Sequence, residues 1–152
     1  MKKSLGFTLI ELMITIAIVA ILIGIGVPSY QNTVQQSRID DATTLINSAL
    51  SYAKNTAIAH NRFLYMTVSA NTLTLATSTA VPLNQATVVN KVTVTTDSTS
   101  TLSFTAPGTP TIIFRANGTI ARGNIIRYCT GDSGIDIAVG INGEPVSTAV
   151  SC

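Results

Sequence analysis

The run from Phe7 to Val27, FTLIELMITIAIVAILIGIGV, constrains this chain more than any other feature: 21 residues carry a single charge, that of Glu11. As a helix rising about 1.5 Å per residue, it covers the roughly 30 Å of a hydrocarbon core. The segment can therefore span a membrane. Lys2 and Lys3 precede it, and no positive charge follows until Arg38. By the positive-inside rule the N-terminus lies in the cytoplasm and the bulk of the chain outside. A secretory signal would have a shorter apolar region and a small-x-small cleavage site. Pro28-Ser29-Tyr30 does not supply one.

The helical pattern continues past the apolar run. Ile39, Ala42, Ile46, Ala49, Leu50, Ala53 and Ala57 recur at steps of three and four, which marks one packing face of an amphipathic helix. The first 60 residues thus read as one long helix. Gly24, Gly26 and Pro28 weaken its middle, since Gly costs about 1 kcal/mol and Pro about 3 kcal/mol in a helix interior. A bend or local melting is expected there. After Ile58 the texture becomes Thr-rich, Ser-rich and β-branched, the texture of strands. Phe63 to Val68 and Leu73 to Ala76 flank a turn at Ser69-Ala70-Asn71-Thr72. Ile112 to Arg115 meets the turn dipeptide Asn117-Gly118 before Ile125 to Cys129, and Ile135 to Ile141 leads into Asn142-Gly143. Between Ala80 and Thr111, with Pro82, Pro107 and Pro110, edge strands are expected around Val92 to Val94 and Leu102 to Phe104. The fold class is α+β, a long N-terminal helix whose second half covers an antiparallel sheet.

Composition removes several functions. The net charge is +2 and 11% of residues are charged, against 46% hydrophobic, which excludes a disordered polyelectrolyte and a histone-like basic protein. One His and two Cys cannot assemble a multi-ligand zinc or iron-sulfur site, and no cofactor is expected. Gly131-Asp132-Ser133-Gly134 imitates the nucleophile segment of trypsin-like proteases, with His60 as the base. The chain is too short for two β-barrels, and the same four residues are ordinary turn chemistry. Gly24-Ile25-Gly26 lies inside the apolar helix rather than after a strand, so it is no dinucleotide fingerprint. No catalytic residue is expected.

Lys2-Lys3-Ser4-Leu5-Gly6-Phe7-Thr8-Leu9-Ile10-Glu11-Leu12 resembles the class III leader and cleavage site of type IV pilins and type II secretion pseudopilins. The resemblance implies that a membrane prepilin peptidase cuts after Gly6 and methylates the new N-terminal Phe7. Residues 1–6 would then be the leader, 7–30 the transmembrane segment and 31–152 the periplasmic or extracellular domain. Pro28 falls where pilins commonly have a helix-breaking proline. The stretch Leu45 to Ile58 before FLYMTV, the run Ile113-Phe114-Arg115-Ala116-Asn117-Gly118, then Ile126-Arg127-Tyr128-Cys129 and the final Cys152 are similar to the FimT/GspH-like minor pilins. The chain departs from that group at Gly143-Glu144-Pro145, where Gly-Arg is frequent.

A carboxylate in a bilayer costs on the order of 3 kcal/mol, so Glu11 needs a cationic partner or a place near the interface. In pilins the corresponding glutamate neutralises the N-terminal amine of a neighbouring subunit, and the resemblance gives Glu11 that assembly role. The competing reading is a carboxylate favoured by the helix macrodipole. Removing residues 1–6 takes Lys2 and Lys3 from the nine basic residues, leaving seven against seven acidic ones. Positive character is then local, at Arg115, Arg122 and Arg127. Some FimT-like proteins are DNA receptors in natural transformation, which makes these three candidate phosphate contacts; the alternative is a solvated sheet edge with gatekeeping arginines. Cys129 and Cys152 lie on the oxidising side, where a disulfide is expected. Expected partners are other major and minor pilins, the prepilin peptidase and the inner membrane, with DNA as a candidate. The expected function is a minor type IV pilin at or near the filament tip. The alternatives are a type II secretion minor pseudopilin and a DNA-uptake receptor.

Overall fold

A computed structural model describes residues 7–69, 71–77, 88–94, 99–105 and 111–152, with the side chains of 27–29 set aside. Gly6, Ala70, Pro82, Pro107 and Pro110 lie outside the described residues, and with them the expected loop structure at those positions. The chain divides into two compact units between Gln36 and Ser37.

One helix, α1, runs from Leu9 to Ala59. The break expected at Gly24, Gly26 and Pro28 is not a gap, because the helical backbone is continuous through all three. Proline removes one N–H, the donor to the carbonyl of residue 24, while the turns on either side keep their own hydrogen bonds. In the first unit the helix is exposed on every side from Leu9 to Gly26. In the second unit its predicted packing face is buried in full: Ile39, Ala42, Ile46, Ala49, Leu50, Ala53 and Ala57. The helix is capped two residues beyond its end by Asn61, whose φ of 46° takes the left-handed conformation. The Arg62 N–H donates to the Ala57 carbonyl at 3.1 Å, the Schellman closure of the last turn.

Among the described residues nine strands follow, in two antiparallel sheets rather than the one expected. In the first sheet, β1 (Leu64–Ser69), β2 (Thr72–Ala76), β3 (Val88–Thr93), β5 (Thr111–Phe114) and β6 (Ile120–Arg122) stand in the order β3-β2-β1-β5-β6. In the second, β4 (Ser100–Phe104), β7 (Ile125–Thr130), β8 (Ser133–Val139) and β9 (Pro145–Ser151) stand in the order β4-β7-β8-β9. Leu64, Met66, Leu73, Leu75, Ile112 and Phe114 of one sheet and Leu102, Ile126, Tyr128 and Ile137 of the other share a core with the helix face. Asn71 bridges the sheets: its carbonyl accepts from the Val94 N–H at 3.0 Å and its Oδ1 from the Leu102 N–H at 3.1 Å.

The pairing expected across Asn117-Gly118 is corrected. Ile112 to Arg115 pairs with the short β6, through Ile113 opposite Arg122 and Phe114 opposite Ile120, and not with Ile125 to Cys129. Only Gly123 and Asn124 separate β6 from β7, which crosses to the second sheet. Both Asn-Gly turns share one geometry. Gly118 N–H donates to Arg115 O at 2.9 Å and Gly143 N–H to Gly140 O at 2.8 Å, with φ of 78° and 75° at the two glycines. These are three-residue hairpin loops closed by a left-handed glycine. The two loops meet: a Cβ on Gly143 would lie 2.7 Å from the Gly118 carbonyl, and one on Gly118 would lie 2.7 Å from Ile58 Cδ1.

Candidate assembly site

Thr8 and Glu11 close the N-terminus of α1 reciprocally. The Glu11 N–H donates to Thr8 Oγ1 at 3.3 Å, while the Thr8 N–H and hydroxyl each donate to Glu11 Oε2 at 3.5 Å. This is the capping box, a Thr followed three residues later by Glu, which satisfies two orphan donors of the helix end. The pattern was present in the sequence, and the reading of Glu11 as a macrodipole or assembly charge passed over Thr8. Around the carboxylate, the described residues supply neutral donors and no cation within ion-pair distance. Phe7, immediately before the cap, is 83% exposed. Behind it the apolar residues Leu9, Ile10, Met13, Ile16 and Ile21 are all exposed. Among the described residues, then, the first unit presents a carboxylate with no cation beside it at the head of an apolar helix that is exposed from Leu9 to Gly26. Such a surface is completed by lipid or by other helices.

The three candidate arginines are divided between the two sheets. Arg115 and Arg122 belong to the β5–β6 hairpin of the first sheet, and Arg127 sits on β7 of the second. Arg115 braces its own loop, donating to the Ile120 carbonyl at 3.1 Å and to Thr119 Oγ1 at 3.5 Å. Arg127 faces Asp136 across the β7–β8 ladder and grips it with two bonds, Nε to Oδ1 and a terminal nitrogen to Oδ2, both 2.7 Å. The Arg127 hydrogen bonds hold the Asp136 carboxyl below the usual carboxylate range, against a smaller opposing effect of burial. Of the three, only the Arg122 side chain makes no polar contact among the described residues.

Cys129 and Cys152 form the expected disulfide. It joins β7 to the residue after β9 and passes over β8. Gly134, opposite Cys129 in the ladder, lies beneath it, and a Cβ there would stand 3.1 Å from Cys129 Sγ and 2.5 Å from the Tyr128 carbonyl. The protease-like tetrapeptide is thereby accounted for. Gly131, with φ of 58°, and Asp132 turn the chain between Thr130 and Ser133, and Gly134 clears the disulfide. His60 stands in the turn after α1, its N–H bonded to the Thr56 carbonyl at 3.1 Å.

An exposed apolar helix whose second half packs on a two-sheet head defines the pilin-like class. Residues 1–27 match the prokaryotic N-terminal methylation motif, and residues 42–143 match the model of the type II transport protein GspH. The chain belongs to the GspH family of minor pilins and pseudopilins. It is similar to prepilin peptidase-dependent protein D of Escherichia coli, 54% identical over 41 residues, which are 27% of this chain and 28% of that protein. It is also similar to a fimbrial protein of Moraxella nonliquefaciens, 42% identical over 62 residues, 41% of this chain and 37% of the relative. The chain thus spans less than half the length of these curated relatives. Among solved structures, the type IV minor pilin FimU of Pseudomonas aeruginosa shares the fold, with a TM-score of 0.58, 19% identity, and coverage of 78% of this chain and 90% of that one.

Proposed function

We propose that the protein is a minor type IV pilin, cut between Gly6 and Phe7 and methylated on Phe7. It is held in the inner membrane with its N-terminus in the cytoplasm and assembled through α1 into or near the tip of a filament. The observation that carries this reading is the head of α1. Glu11 is bonded only by neutral donors of Thr8 among the described residues, and the helix behind it buries none of its most apolar stretch. An incoming subunit's new amine would supply the missing charge, and neighbouring helices would cover the apolar surface. The mechanism is packing and charge registration. Fimbrial proteins among the relatives and the C-terminal disulfide support a pilus.

The matched family model, named for type II transport, favours a second reading as a minor pseudopilin of a secretion system. An in-frame deletion separates the two. Loss of sheared surface pili, restored by complementation, is the expected result, and unchanged pili with impaired secretion would transfer the assignment to the pseudopilus. Glu11→Ala tests the registration. The variant is expected to insert in the membrane and to be absent from sheared filaments, and normal incorporation would refute the role given to Glu11.

A further inference from the structure

β9 has no core function that its side chains reveal. From Pro145 to Ser151 none is buried, and Val146 is 62% exposed. Yet the disulfide at Cys152 and a regular seven-pair ladder to β8 hold it in place. Among the described residues its outer edge has no neighbouring strand. The other sheet edges are guarded. β6 is three residues long and ends in Arg122, β3 carries Lys91 and an irregular register, and on β4 the Leu102 N–H is taken by Asn71. β9, PVSTAVS, has no charge, and its one proline is at its first residue.

The ladder shows which backbone groups face outward. Gly140 N–H donates to Glu144 O, and Cys152 N–H donates to Asp132 O. These bonds flank β9 at even positions, so Val146, Thr148 and Val150 turn their N–H and C=O groups toward β8. Ser147, Ala149 and Ser151 point theirs away, as does the carbonyl of Pro145. The proline sits where its missing N–H interrupts no bond to β8.

We propose that this edge is a docking surface for a second copy of this chain, pairing antiparallel about Thr148. The sequence is self-complementary about that residue. Ser147 meets Ala149 of the second copy in both directions, every outward N–H finds a carbonyl, and Val146 stands opposite Val150. Thr148 stands opposite itself, in a close pair without hydrogen bonds. Like β-branched pairs of this kind are favourable across a ladder. The pairing is two-fold and closed, so it consumes both edges and does not propagate into a fibre.

The test uses the full chain in membranes, with the native disulfide formed and single cysteines added. Thr148→Cys is expected to give a disulfide dimer under a mild oxidant, because opposed residues at such a pair lie within bridging distance. Ser147→Cys alone faces Ala149 and is expected to remain monomeric. Adding Ala149→Pro to Thr148→Cys removes an outward donor from each chain and leaves the β8 ladder whole. It is expected to lower the dimer about tenfold, the effect of losing two hydrogen bonds. Protection of Cys129 and Cys152 from alkylation confirms that the native disulfide is formed in each variant, and a circular-dichroism melt matching the parent confirms that each has folded. A Thr148→Cys chain that stays monomeric, crosslinks as readily with Ala149→Pro, or crosslinks only to a different protein would overturn the proposal.

Discussion

Gly134 carries no side chain, and β8 could not run beneath the disulfide if it did. Gly134→Ala is therefore expected to lower the stability of the detergent-solubilised chain by about 1–3 kcal/mol, the range for overpacking a filled site. Thermal unfolding measures it, and an unchanged midpoint would show that the disulfide has room to shift. The residue's role was illegible in the sequence because it depends on a cross-strand neighbour and on a partner at the far end of the chain. Arg127 is a similar case. It reads as a free cation along the chain, and the β7–β8 register sets it against Asp136. The Asp136 carboxyl is held below its ordinary value, so its contribution to stability is present above the usual carboxylate range and is lost as pH falls through the lowered value. Asp136→Asn is expected to melt below the parent at neutral pH, with the gap closing on acidification below about pH 4. A gap independent of pH would show that the loss is one of packing rather than charge. Glu11 was legible, as was Thr8, since the capping box spans four consecutive residues.

At the scale of elements, the packing face of α1 was readable because helical periodicity alone selects it. Ile46 and Leu50 are both fully buried there. Ile46→Ala is expected to cost about 2–5 kcal/mol by denaturant unfolding, whereas Ile10→Ala, exposed in the single chain, should leave the stability of the globular unit unchanged. The hairpin loops were half legible. Asn117-Gly118 and Asn142-Gly143 marked turns correctly, but their strand partners were misassigned at the first. A dipeptide reports local backbone preference, while the strand that returns from a turn is chosen by what the sheet already contains. β6 escaped notice for the same reason, with three residues too few to show a period. The two loops also rest on each other and on the stem of Lys54, and the first meets Ile58 as well. Gly118→Ala is expected to cost about 1–3 kcal/mol, through both its left-handed backbone and that contact. The companion Asn61→Gly, at a left-handed cap, should be close to neutral, and thermal unfolding of both distinguishes crowding from backbone conformation alone.

At the scale of the molecule, the C-terminal disulfide closes a separation of 23 residues and secures a strand that buries nothing. Cys152→Ser is expected to remove about 3 kcal/mol in the chain-entropy model. Hydrogen exchange should rise first in β9, with β7 slower to follow; uniform acceleration across both sheets would show that β9 is integral to the cooperative unit. The sequence by itself determined the apolar helix, its capped and chargeable head, the amphipathic continuation and the pairing of the two cysteines. Each of these rests on local periodicity, a short motif or a two-member choice. Only the tertiary structure decided that the strands form two sheets, that Arg127 is spent on Asp136, that Gly134 clears the disulfide and that β9 has an open edge among the described residues. Those outcomes depend on register between residues distant along the chain, and register is set by mutual packing that no single segment encodes.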